Sequence, residues 1–202
     1  MKFDVLTIFP DIISSYSSQS ILGRGQKGGY IQINAHDFRK YSSDKRGHVD
    51  DTPYGGGPGM VLQVQPIFEC LKELGLVVED KSGKPKKDKN KNTKVIIMDP
   101  AGKKFDQKMA QKFAKLDRLV LVAGRYEGFD ARVHKLIDER ISVGEYVLAG
   151  GELPALSIVE ATARLLPQVL GNQASLVEET FNRAIDMRDV KGEYPHYTRP
   201  EE

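Results

Sequence analysis

Apolar residues along the chain fall into two kinds of run. The first is short and nearly continuous: F-D-V-L-T-I-F (3–9), V-I-I-M-D (95–99), R-L-V-L-V-A (118–123) and R-I-S-V (140–143). A strand covered on both faces, as in a parallel sheet, has this signature. Y-I-Q-I-N-A (30–35) alternates instead, as a half-exposed strand does. Between these runs lie helical patterns. They cover Asp11 to Leu22, Gln65 to Leu74 with Pro66 in its first turn, Asp106 to Leu116, a short Ala131 to Ile137, and the very apolar Leu153 to Leu166, stopped by Pro167. Strands alternating with helices predict an α/β fold with a mainly parallel sheet.

Two stretches stand apart. E-D-K-S-G-K-P-K-K-D-K-N-K-N-T-K (79–94) is lysine-dense and almost free of apolar residues, which reads as a solvated, mobile insertion able to touch phosphates. From about Gly171 the pattern fades into a charged, irregular tail, so the expected division is a domain over 1–170 and a linker or arm over 171–202. A net charge of +2 on 202 residues does not by itself announce nucleic acid. The one cysteine, Cys70, has no partner for an internal disulfide and fits a reducing compartment. The N-terminal M-K-F-D-V-L-T-I-F-P reads as neither a signal peptide nor a membrane span.

Candidate chemistry is concentrated in glycine-rich segments. D-D-T-P-Y-G-G-G-P-G-M (50–60) is either a surface turn or a place where backbone approaches a ligand closely. It is not a nucleotide-binding P-loop, because Met60 and Val61 follow Gly59 where Lys and a hydroxyl residue are required. Gly23, Gly25 and Gly28 match G-x-G-x-x-G but follow a predicted helix and lead into a strand, the reverse of a dinucleotide fingerprint. His36, His48, His134 and His196 are scattered without metal-ligand spacing, and no G-x-S-x-G elbow supports a serine triad. The informative feature is that M-D-P-A-G (98–102), A-G-R-Y-E-G (123–128) and V-G-E-Y-V-L-A-G-G-E-L-P (143–154) each follow a predicted strand. Ligands of open α/β sheets bind outside the carboxyl ends of the strands, so three such loops can surround one small molecule with backbone donors and acceptors.

D-D-T-P-Y-G-G-G-P-G-M, G-R-Y-E-G, V-G-E-Y-V-L-A-G-G-E-L-P and P-H-Y-T-R-P together resemble the bacterial tRNA (guanine-N1)-methyltransferase family that modifies guanine 37 beside the anticodon. The resemblance runs from Phe9-Pro10 to Pro200, with only the lysine-rich stretch unfamiliar. It implies a SPOUT-class sheet tied in a deep trefoil knot, S-adenosylmethionine as donor, tRNA as partner, a homodimer with shared active sites, and a cytoplasmic enzyme. By matching motif it implies a donor pocket of Met98, Pro100, Gly124, Val143, Gly144, Glu145, Tyr146, Val147, Leu148, Gly150, Gly151 and Pro154. Arg125 and Glu127 would meet donor and target base, and Arg164 would lie near the target guanine. The glycine run of 50–60 would line the mouth of the site.

The resemblance further places the general base in the acidic pair of Glu178-Glu179-Thr180-Phe181, at Glu179, where the family has an aspartate. Guanine N1 carries a proton near neutral pH, and a carboxylate that removes it makes N1 a nucleophile. Magnesium is linked to activity in the family, with no ligand cluster here to assign to it. The family's helical tRNA-gripping C-terminal domain is not contained in this sequence, so the expectation is a chain that dimerises and binds the donor but holds tRNA weakly. The alternative is a donor-binding module with little or no catalysis. A ribose target is disfavoured, since ribose methylation needs no guanine-specific base.

Overall fold

The computed structural model describes residues 1–79, 85–87, 92–172, 181 and 197–199. In chain order it contains β1 (Lys2–Thr7), α1 (Pro10–Ser17), α2 (Ser20–Lys27), β2 (Gln32–Asp37), β3 (Asp50–Asp51), β4 (Val61–Leu62) and α3 (Val64–Glu73). There follow β5 (Val77–Glu79), β6 (Pro85–Lys87), β7 (Thr93–Lys104), α4 (Gln107–Phe113), β8 (Arg118–Val122), β9 (Glu139–Ser142) and α5 (Glu152–Ala163). Five strands form one sheet in the order β2-β1-β8-β7-β9, every neighbouring pair parallel. The α/β expectation holds.

The sheet is covered on both faces, and side-chain alternation divides its apolar residues between two cores. Phe3, Val5, Ile96, Leu119 and Leu121 face α1, α4 and α5. Leu6, Val95, Ile97, Val120 and Val122 face α3 and its neighbours. This accounts for the unbroken apolar runs: neither face of these strands meets water. Cys70 sits in the second core, where burial foremost pushes its thiol up to about 12. It therefore stays protonated and is a packing residue, not a nucleophile.

Several predicted boundaries move for identifiable reasons. The helix expected over 11–22 is two helices. Ser14 and Ser18 donate their hydroxyls to the carbonyls of Pro10 and Ser15, and Gln19 is extended. Serine side chains compete in this way with the helical ladder. The glycines of the G-x-G-x-x-G match lie inside α2 and at its C-terminal cap, far from any strand-to-helix turn. The strand predicted over 95–99 is longer, since Lys103 and Lys104 rejoin β9 after a register shift that leaves Asp99 to Gly102 bulged outward. Helix α5 stops at Ala163, ahead of the predicted Leu166, because Leu165 and Leu166 switch to three-residue turn bonds as Pro167 approaches. Within the lysine-rich stretch, Pro85–Lys87 pairs antiparallel with Val77–Glu79, and Lys87 reaches Asp138 at 2.6 Å. Residues 80–84 and 88–91 lie outside the described residues. The hairpin of β3 and β4, flanking the glycine run, carries no apolar periodicity and was not foreseen.

One buried charge ties the sheet together at its α3 face. Asp4 is wholly buried in β1 and accepts from Arg118 Nε at 2.6 Å and Asn34 Nδ2 at 2.9 Å, with His36 Nε2 at 2.7 Å. Arg118 also donates to the carbonyl of Leu74 at the end of α3, so the pair links three strands to a helix. Burial pushes the Asp4 carboxyl upward, but its hydrogen bonds to His36, Asn34 and Arg118 outweigh this and hold it at about 2. A carboxyl lowered on folding contributes stability above its unfolded value, and that contribution is lost as pH falls through the folded value. Asp4→Asn should cost about 3 kcal/mol at pH 7, in the range for breaking a buried ion pair. In urea titrations the gap from wild type should shrink as pH falls from 4 towards 2. A gap independent of pH in that window would mean that the Asp4 charge does not carry the effect.

Candidate active site

The bulge within β7 and the loops after β8 and β9 converge on one side of the sheet and enclose a cavity of about 360 Å³. Met98, Asp99 and Pro100 form one wall, Gly124 to Phe129 a second, and Val143, Gly144 and Tyr146 to Gly151 with Pro154 most of the rest. Such a volume is typical of small-molecule sites. Of the residues expected in the donor pocket, all but Glu145 line this cavity. Glu145 lies outside it, its exposed side chain 3.6 Å from Lys104.

Local bonding sets the walls. Ser142 is buried at the end of β9, where its hydroxyl donates to the carbonyl of Gly144 at 2.8 Å and accepts from the Gly144 N–H at 3.2 Å. This fixes the turn out of the strand, and the Tyr146 ring lies across Gly144. At the start of α5 the backbone crosses the end of β8: Gly151 N–H donates to the carbonyl of Gly124 at 2.8 Å, and Arg125 bridges to Gly150. A Cβ on Gly151 would stand 2.8 Å from Ala123 Cα and 3.0 Å from Met98 Cβ. Only glycine permits that approach.

The glycine run forms the tip of the β3–β4 hairpin, docked on the second wall. Leu62 N–H donates to the carbonyl of Gly128, Asp130 N–H to that of Leu62, and Glu127 N–H to that of Met60, each at 2.9 Å. Gly59 has φ +78°, and its missing side chain makes room for the Glu127 side chain, whose Cγ would be 2.6 Å from a Cβ there. Gly55, Gly56 and Gly57 face open space, also with positive φ. The run is therefore a close-approach element at one end and an open rim at the other.

Tyr126 is strained at φ +60° in the wall, with the Asp50 carboxylate of β3 near its hydroxyl. Burial and that carboxylate together raise the phenol's pKa. Non-glycine residues in this conformation cluster at functional sites. Arg125 lines the cavity with its guanidinium 4.5 Å from the centre of the Phe9 ring and 2.9 Å from Glu152. Glu152, at the first position of α5 and 1% exposed, was not singled out from sequence. Its signal was present: an acidic residue opening a mostly apolar helix after two glycines.

Arg164 caps the opposite end of α5 from Gly151, so about 18 Å of helix separates it from the cavity. Glu179 and its neighbours Glu178 and Thr180 lie outside the described residues, as does His196. Among the described residues no group of three or more His, Cys, Asp or Glu side chains is set to hold a metal ion. No helix among them is long and apolar enough to cross a membrane.

A parallel sheet with a glycine-walled crevice at its carboxyl edge defines an α/β protein whose crevice has the shape and position of a small-molecule site. A profile describing tRNA (Guanine-1)-methyltransferase TrmD matches residues 1–202, and the chain belongs to that family. A tRNA (guanine-N(1)-)-methyltransferase of Lactobacillus acidophilus is 48% identical over 200 residues, 99% of this chain and 74% of its own length. One from Limosilactobacillus reuteri is 44% identical with the same coverage. The crystal structure of a tRNA (m1G37) methyltransferase from Aquifex aeolicus superposes with a TM-score of 0.74 at 36% identity, spanning all of this chain and 77% of that one.

The Gly151 seam is directly testable. Gly151→Ala must push α5 away from the end of β8, and overpacking of this kind costs about 1–3 kcal/mol. Calorimetry should show S-adenosylmethionine binding weakened at least about tenfold, with far-ultraviolet circular dichroism unchanged. Unaltered affinity would mean that the seam does not shape the binding cavity.

Proposed function

We propose that this chain, a tRNA (guanine-N1)-methyltransferase by family, methylates N1 of guanine 37 using the cavity at the carboxyl ends of β7, β8 and β9 as its donor site. The observation that carries this reading is the meeting of eleven of the twelve motif-implied pocket residues around one cavity of suitable size. The fit to S-adenosylmethionine is chemical as well. Gly144, Gly150 and Gly151 bring backbone close, while Met98, Ile141, Val143 and Leu148 supply an apolar slot. When bound there, the donor supplies an electrophilic sulfonium methyl. The chain's own residues do the rest: the crevice excludes water, Arg125 offers positive charge to the base, and Glu179 takes the N1 proton. The choice of position 37 follows the naming of the Aquifex aeolicus enzyme.

A homodimer belongs to the same proposal, and two features support it. Arg164 sits a helix-length from the cavity of its own chain. Ile12, Tyr16, Tyr146, Val147, Leu148 and Leu153 are exposed apolar side chains on α1, on α5 and along the cavity rim. A trefoil crossing is likewise part of the proposal, supported by the Gly150–Gly151 segment bonded against Gly124 and Arg125. So is the division into a methyltransferase domain over 1–170 and an arm over 171–202, α5 being the last helix among the described residues. No magnesium ligand can be named among the described residues. The binding-only alternative is not favoured, since the matched relatives carry methyltransferase names across 99% of this chain.

Transfer of labelled methyl groups to an unmodified tRNA transcript with guanines at 36 and 37 checks the activity, with a guanine-37-to-adenine transcript as control. Label should enter only the first. Glu179→Gln should lower turnover by about a hundredfold or more while donor affinity stays unchanged. Label in the adenine-37 control would refute the position, and full activity in Glu179→Gln would refute the base.

A further inference from the structure

Glu152 is an acidic side chain with almost no solvent exposure, in the most apolar helix among the described residues. Burying a carboxylate is costly unless it is paired, so its partners need an account. One oxygen accepts from Thr7 Oγ1 at 2.7 Å, and Thr7 is itself fixed because its hydroxyl accepts from the Phe9 N–H at 2.9 Å. The other oxygen lies 2.9 Å from Arg125 NH2. That approach is an ion pair without hydrogen-bond alignment, and both Glu152 Oε2 and Arg125 Nε are buried without a hydrogen-bond partner. Arg125 is further held by the Phe9 ring beneath its guanidinium and by a long 3.4 Å contact to the Ala149 carbonyl.

Gly150 completes the arrangement. A Cβ on it would stand 2.2 Å from Arg125 Nε and 2.5 Å from Glu152 Oε2, so the pair occupies the space that a side chain at 150 would fill. Three separate elements, the end of β1, the loop after β8 and the start of α5, thus converge on one guanidinium at the cavity wall. Stability alone does not explain this. A well-packed apolar pair is generally as stable as a buried ion pair, and here the fork also keeps an unmatched donor.

We infer that Glu152, braced by Thr7, is a positioning residue for methyl transfer: it holds Arg125 in place, with Phe9 as a rest, so that the guanidinium meets negative charge developing on the target base. This rests on the proposed function. Preorganised charge acts on the transition state more than on the bound ground state, so loss of the brace lowers kcat and leaves donor affinity alone.

The test is a double-mutant cycle in steady-state methyl transfer to the guanine-37 transcript, with donor affinity measured by calorimetry. Glu152→Gln and Arg125→Ala should each lower kcat by about tenfold or more, with the donor Kd of Glu152→Gln within about twofold of wild type. In the Arg125→Ala background, Glu152→Gln should cost nothing further, because its target is gone. Thr7→Val should slow turnover and Thr7→Ser should restore it, and the same cycle with Thr7→Val stands in should Glu152→Gln fail to fold. An equal loss in both backgrounds, a Thr7→Ser variant no better than Thr7→Val, or an effect confined to donor Kd would overturn the positioning role. A wild-type chain inactive on the guanine-37 transcript would remove the functional reading itself, and the inference with it.

Discussion

The site depends on one backbone seam, where the segment 150–151 runs against 124–125. Gly151 donates to Gly124 across it, and Gly150 bridges Arg125. The seam joins the end of β8 to the start of α5 and brings both within van der Waals reach of Met98 on β7. A buried backbone donor left without its acceptor costs about 1–3 kcal/mol, so the seam holds only if both strands of backbone stay in register. The same few contacts therefore close the cavity, aim α5 and commit its apolar sides to the core. Stability and the shape of the cavity share one constraint here, and neither can be tuned alone.

Charge is distributed with a related logic. Asp4 and Glu152 are both buried carboxylates reached from β1, yet they differ in how fully they are satisfied. Both oxygens of Asp4 meet well-directed donors from Arg118 and Asn34, with His36 alongside. That network is complete, as a network that only holds strands together should be. The Glu152 pair is incomplete, with Arg125 Nε and Glu152 Oε2 unmatched at a cavity wall. An incomplete buried network is a cost that packing would remove unless something else needs the unmatched group.

Much of this was legible from the chain. Runs such as Leu119 to Ala123 identify strands with two dry faces, and the glycines following three of those strands mark the cavity's walls. The lining residues were reached by motif resemblance, since ordinary βα turns also use glycine. What spacing could not show depends on contacts distant in sequence. The β3–β4 hairpin has only two residues per strand and is held by Gly128 and Phe129, outside any local pattern. The break between α1 and α2 follows from serine hydroxyls choosing backbone carbonyls. Glu152 looked like an ordinary first-turn acid until Thr7, 145 positions away, and Arg125 were seen against it.

Arg164 raises a geometric problem whose solution bears on the whole proposal. A helix is a stiff spacer, and twelve residues of α5 hold its two ends about 18 Å apart. A site that uses Gly151 at one end and Arg164 at the other cannot be assembled from a single copy of α5. Two copies can do it where a two-fold axis lies perpendicular to α5, because such an axis runs the helices antiparallel and sets one end of the first beside the other end of the second. The exposed side chains of Ile12, Tyr16 and Leu153 lie on α1 and α5, the two elements that would have to meet. On this reading, the apolar face beside the cavity and the distant arginine are one feature. The face would bring the second copy in, and the second copy would bring the arginine.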